Sequence, residues 1–224
     1  MMAPSEIITG IITWAPGIIF AVTLHEWAHG YAATRFGDPT PAQFGRLTLK
    51  PWPHIDPIWS IAIPIVMLVS TLATTGHAIV FGGAKPVPIN PRNFPVNSYR
   101  LALLSVAIAG PVMNLFLALV CALLFRLVFF LPAFMIDALA SMLMAALQMN
   151  VLLAVFNMLP VPPLDGGRVA TAILPRPLNR KLASLEKFGL PIIVILAFTG
   201  SLGTILLPPM QWVLSIFFAI AGLD

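Results

Sequence analysis

The chain has 224 residues, 59% of them hydrophobic and only 9% charged, with a mean hydropathy of +0.96. A soluble domain carries about a quarter charged residues, so this composition excludes an ordinary soluble enzyme and points to a polytopic membrane protein. The formal net charge of +4 is spread over several loops, which makes it a topology signal rather than a nucleic-acid footprint.

The first apolar segment covers 7–33. The preceding "MMAPSE" has no positive charge, so the segment is expected to be a retained span and not a cleaved signal peptide. Its end reads "TLHEWAHGY" (23–31), which places His25, Glu26 and His29 in apolar company. In "FGRLTLK" (44–50), Leu47 and Leu49 alternate with Arg46, Thr48 and Lys50, a pattern that predicts a short membrane-associated strand. Prolines crowd the connections "PWPHIDP" (51–57) and "AKPVPINPRNFP" (84–95), which should be extended or turned. Between them lies an apolar segment at 58–81, interrupted by the polar "STLATTGH" (70–77). Further segments follow at 101–131, 138–159, 190–207 and 210–223, the last two divided at Pro208-Pro209. The single Cys121 sits inside one of them, so no intramolecular disulfide exists.

Basic residues decide the topology. If 58–81 dips into the membrane and returns, all of the 12 Lys and Arg residues except Arg126 fall on one side. The positive-inside tendency then puts that side in the cytoplasm and the N-terminus outside. Six full crossings with a weak charge bias are the alternative. The expected fold is an all-α polytopic membrane protein. It has five or six transmembrane helices, a re-entrant segment and a short β element. It forms one domain over 1–224, with a catalytic core at about 7–187 and C-terminal helices at about 188–222.

His25-Glu26-x-x-His29 is an H-E-x-x-H pattern. Residues four apart share a helix face, so both imidazoles can aim at one ion. Glu26 lies about 100° round the helix from His25 and can act as general base without being a ligand. Three ionisable groups buried by accident are improbable, since each costs about 2.5–3.5 kcal/mol in hydrocarbon. His25 lies about 27 Å into the span, toward its cytoplasmic end. A catalytic zinc needs a third protein ligand, and besides Glu26 the candidates are His54, Asp56, His77, Asp137 and Asp165. Asp165 stands out. It follows a span in "NMLPVPPLDGGR" (157–168) that ends level with the histidines, and Gly166-Gly167 would let the backbone turn close to a metal. Asp137 falls on the opposite side. Arg168 could pair with Asp165 or hold the loop.

HEWAH, then "AGPVMN" (109–114), then "NMLPVPPLDGG", in that order, resemble the site-2 intramembrane zinc proteases. The loops "GRLTLKPWPHIDP" and "GGAKPVPINPRNFP" look like the short prokaryotic branch, with no room for an inserted PDZ domain or a C-terminal CBS pair. The resemblance implies one zinc ion held by His25, His29 and Asp165, with Glu26 as the base. It implies a multi-pass protein of the cell membrane, with the bilayer and single-span membrane proteins as its partners. Asn157 corresponds to the family's motif asparagine, expected to bond substrate backbone or oxyanion. Asn114, His54 and Leu47 are weaker substrate-contact candidates, and Gly110 and Pro111 are packing residues that let helices approach. An extended substrate could add to the edge of the 44–50 strand. Two rivals remain from other classes. A metal or proton transporter would need polar residues leading to both faces, whereas here they gather toward one. An inactive binding relative would have no need of Glu26.

Overall fold

The computed structural model describes residues 4–62, 65–66 and 82–223. Helix α1 runs over Pro4–Arg35 and includes Pro16. It ends in a Schellman motif at Gly37 (φ 91°): the Gly37 N–H donates to Thr34 O at 3.0 Å and the Asp38 N–H to Ala33 O at 3.0 Å. After a short helix α2 (Thr40–Gln43) come two long helices, α3 (Tyr99–Val128) and α4 (Ala133–Asn157). Four smaller or final elements follow: α5 (Asp165–Ile173), α6 (Leu178–Ser184), α7 (Glu186–Phe198) and α8 (Ser201–Ala221). Among the described residues, four helices are long and apolar enough to cross a membrane: α1, α3, α4 and α8.

Small residues bring these helices together. Ala21, Ala28 and Ala33 of α1, Ala102, Ala107, Ala118 and Ala122 of α3, and Ala145 and Ala154 of α4 are all buried. Large side chains such as Ile11, Ile12, Phe20, Phe116, Phe134 and Trp212 face outward. Lipid tails are as apolar as leucine, so spanning helices associate through close packing of small residues instead of by hiding large ones. A Cβ on Gly17 would come within 2.9 Å of Ala146, which shows how closely α1 approaches α4. The protein is a multi-pass membrane protein by this architecture.

α1 and α3 are antiparallel, because Ala33 near the end of α1 packs with Phe94, Ala102 and Val106 near the start of α3. α4 then returns alongside both, so Arg35, Arg100 and Arg168 share one end of the bundle. Arg100 and Arg176 line one cavity there, while Arg126 lies beside Gly222 at the other end.

The connection between α2 and α3 departs from expectation. Residues 44–50 form a turn and bends, and no strand occurs among the described residues. Gly45 adopts φ 65°, the Arg46 N–H returns to Pro41 O at 2.8 Å, and the Lys50 N–H bonds Thr48 Oγ1. Local bonds thus take the donors a ladder would need. Segment 58–81 lies largely outside the described residues, as does His77. Its flanks are visible: Ser60 Oγ donates to Gly83 O at 2.7 Å, so the chain returns beside the place it left.

The C-terminal division also differs. The break between the last two segments falls at Gly200 (φ 74°) and not at Pro208-Pro209, which lie inside α8. A left-handed residue reverses the chain most cheaply at glycine, whereas proline within a spanning helix is tolerated when neighbours and local adjustment satisfy the freed carbonyls. α7 has 13 residues, about 20 Å of helix, and does not match the length of a hydrocarbon core of about 30 Å.

Candidate metal centre

His25 and His29 lie one turn apart on α1, 7% and 5% exposed, with ring centroids 4.6 Å apart at 82°. Asp165, the first residue of α5, is 6% exposed and reaches both. Its Oδ2 is 3.2 Å from His25 Nε2 and 3.2 Å from His29 Nε2, and the two Nε2 atoms are 3.0 Å apart. Donors around a tetrahedral zinc at about 2.0–2.1 Å stand about 3.3 Å from one another, so this triangle has the size of one face of such a site.

Proton positions make the same case. His29 Nδ1 bonds Val106 O at 2.7 Å, and a carbonyl only accepts, so Nδ1 carries a hydrogen and the neutral ring presents a lone pair at Nε2. His25 Nδ1 lies 2.6 Å from Asn114 Oδ1. Asp165 Oδ2 is a buried atom that receives no hydrogen bond. Acceptors converging without hydrogens between them repel unless a cation joins them. The donor set, two imidazoles and a carboxylate, is one that zinc takes.

Glycines allow this crowding. A Cβ on Gly110 of α3 would sit 2.4 Å from His29 Nε2 and 2.6 Å from His25 Cε1. On Gly166 it would meet Met158 O at 2.2 Å, and on Gly167 it would meet Pro162 N at 2.3 Å. These two are helical residues of α5, so they serve by close approach rather than by the turn expected from the sequence.

Glu26 is half-buried, and its Oε2 accepts the Val87 N–H at 2.9 Å. Val87 belongs to an extended stretch laid across α1, whose Lys85 and Pro86 carbonyls both accept from the Arg46 guanidinium. The stretch is anchored further by the Asn90 N–H, which donates to Asp38 Oδ2 at 2.7 Å. Burial pushes the Asp38 carboxyl up, but donation from Thr40, Asn93 and Asn90 outweighs it and holds the group below the usual carboxylate range. Nothing local in the sequence beyond the proline-rich spacing signals this clamp.

The remaining candidates separate. Asn157 ends α4 half-buried, its Nδ2 donating to Leu153 O at 3.0 Å. Asn114 is fully buried and bonded to His25, so it supports a histidine rather than meeting substrate. His54 is not a solvated loop residue: it is 1% exposed and its Nε2 donates to Thr48 O at 3.0 Å, closing the loop on itself. Leu47 is half-buried, its Cδ1 3.6 Å from the Cβ position of Gly30 on α1. Asp56 caps the turn at Ile58 through its Oδ1. Asp137 and Arg168 are exposed.

Apolar spanning helices around a two-histidine, one-carboxylate cluster define the class: a multi-pass membrane protein able to hold a metal ion. Comparison with known proteins narrows it. The model for peptidase family M50 matches residues 132–199, from α4 through the Asp165 turn to α7. The Bacillus subtilis protein named "Putative zinc metalloprotease YwhC" is 36% identical over 200 residues, covering 86% of this chain and 83% of that protein. "Putative zinc metalloprotease Rip2" of Mycolicibacterium smegmatis is 30% identical over 208 residues, covering 93% and 73%. The Mycobacterium tuberculosis (strain H37Rv) protein of the same name is 29% identical over 187 residues, covering 83% and 66%. No solved structure matches the chain. The chain belongs to peptidase family M50, the site-2 proteases. It is a metalloprotease with zinc as its cofactor.

Proposed function

We propose that this metalloprotease is an intramembrane endopeptidase that hydrolyses peptide bonds within or beside the transmembrane segments of single-span membrane proteins. The observation that carries this reading is the triangle of His25 Nε2, His29 Nε2 and Asp165 Oδ2, buried among apolar helices. These three atoms would hold the zinc. Bound there, zinc supplies a Lewis acid that polarises the scissile carbonyl and makes water acidic enough to attack near neutral pH.

Glu26, next to His25, takes the proton of the attacking water and passes it to the leaving amine. Its Oε2 is oriented by the Val87 N–H, which leaves Oε1 for proton transfer. One N–H of Asn157 is used within its own helix, and the other is available to a carbonyl of an unwound substrate, where it would favour developing negative charge. Gly110 keeps the face between the histidines and α3 clear of side chain. The shared end of Arg35, Arg46, Lys50, Arg100, Arg168 and Arg176 supports a cytoplasmic placement of this end in a cell membrane.

The test uses purified wild type and Glu26→Gln in liposomes with a panel of single-span proteins. Near-stoichiometric zinc in both, with cleavage lowered by about 10²–10⁴-fold in the variant, is the expected outcome. Equal behaviour of the two, accompanied by metal flux, would support transport and defeat the reading.

A further inference from the structure

We propose that Asn150 fixes the ring polarity of His25 through Asn114, making both asparagines positioning residues for the metal centre. The inference rests on the reading of His25 as a zinc ligand. It starts from a polar residue in the middle of α4 that touches none of the three ligands.

Asn150 is 2% exposed, and its Nδ2 donates to Ala146 O, one turn back in α4, at 2.8 Å. A carbonyl cannot donate, so the nitrogen of the amide must face it and Oδ1 must point toward α3. There Oδ1 accepts Asn114 Nδ2 at 2.9 Å. The other hydrogen of that nitrogen goes to Ala21 O of α1 at 3.2 Å. With Nδ2 committed to two acceptors, Asn114 must turn Oδ1 toward His25 Nδ1, 2.6 Å away. An oxygen at that distance requires a hydrogen on Nδ1, so in the neutral ring Nε2 is left as the lone pair facing His29 and Asp165.

Every group in the chain is therefore oriented by the one behind it, and the sequence begins at a backbone carbonyl that has no alternative. Reversing either amide sets acceptor against acceptor in a buried site, and each such clash leaves polar atoms unpaired. A simpler role exists for buried asparagines in spanning helices, as bonds that join one helix to the next. That role predicts nothing about the position of a proton on His25. The relay does.

The experiment uses full-length protein with ¹⁵N-labelled histidine, free of metal, in detergent or bilayers. The chain has only 4 histidines, and His25→Ala assigns the signals of interest. Wild-type His25 should show one tautomer, with hydrogen on Nδ1. Asn150→Leu should give mixed tautomers and a zinc affinity lower by about tenfold, read by chelator competition. Asn114→Leu should lose at least as much, and the double variant should be no worse than Asn114→Leu alone. A single Nδ1–H tautomer with wild-type zinc affinity in Asn150→Leu would overturn the proposal. So would an Nε2–H tautomer in wild type, a result that needs no variant to fold. The expected tautomer in a protein that binds no zinc would instead defeat the metalloprotease site while leaving the relay standing.

Discussion

From the middle of the bundle toward its Arg126 end, Ala118, Ala122, Phe125, Leu147, Val151, Phe217 and Ala221 meet through carbon alone. From the middle of the bundle toward its Arg35 end, His25, His29, Asn114, Asn150 and Asp165 are equally buried but are held by directed bonds. The apolar end tolerates small shifts, since dispersion contacts weaken gradually with distance. The polar end does not, because a rotated amide or imidazole turns a bond into a repulsion. Stability and geometry are thus separated along the same helices: one end keeps α3, α4 and α8 together, and the other fixes where three ligand atoms point.

The largest expected break in that contrast is Gly110→Ala. Its new Cβ would lie 2.4 Å from His29 Nε2, so the imidazoles must move. Misplacement on that scale is expected to lower cleavage about 100-fold and to weaken zinc binding, with the protein still folded in detergent. Leu147→Ala should do the reverse. Leu147 is 1% exposed in the apolar cluster, and a cavity there is expected to cost about 2–3 kcal/mol in an unfolding titration. Zinc affinity should stay at the wild-type value. If Leu147→Ala instead changed zinc affinity as much as Gly110→Ala, the two ends would not be separable.

The polar end is more legible in the sequence than the connections. H-E-x-x-H spacing follows from helix periodicity, so His25, Glu26 and His29 were legible from local pattern, and the level at which α4 ends brought in Asp165. Asn150 could have been noticed by the same reasoning, as a polar residue inside "LQMNVLL". Its role could not, because it depends on which atoms of α1 and α3 lie opposite. The alternation at 44–50 suggested a strand, yet Gly45 and nearby acceptors settle those residues into bends. Prolines 208–209 looked like a boundary, but the chain turns at Gly200, where a positive φ is required. Interaction of Val87 with Glu26 joins residues far apart in the chain, and nothing local encodes it.

Zinc K-edge X-ray absorption on purified wild type and Asp165→Ala tests the central claim most directly. Two imidazole nitrogens and a carboxylate oxygen at about 2.0–2.1 Å are expected in wild type. Asp165→Ala should lose the metal or that oxygen. A spectrum unchanged by the substitution, or one dominated by sulfur, would contradict the assignment of His25, His29 and Asp165 as the ligands.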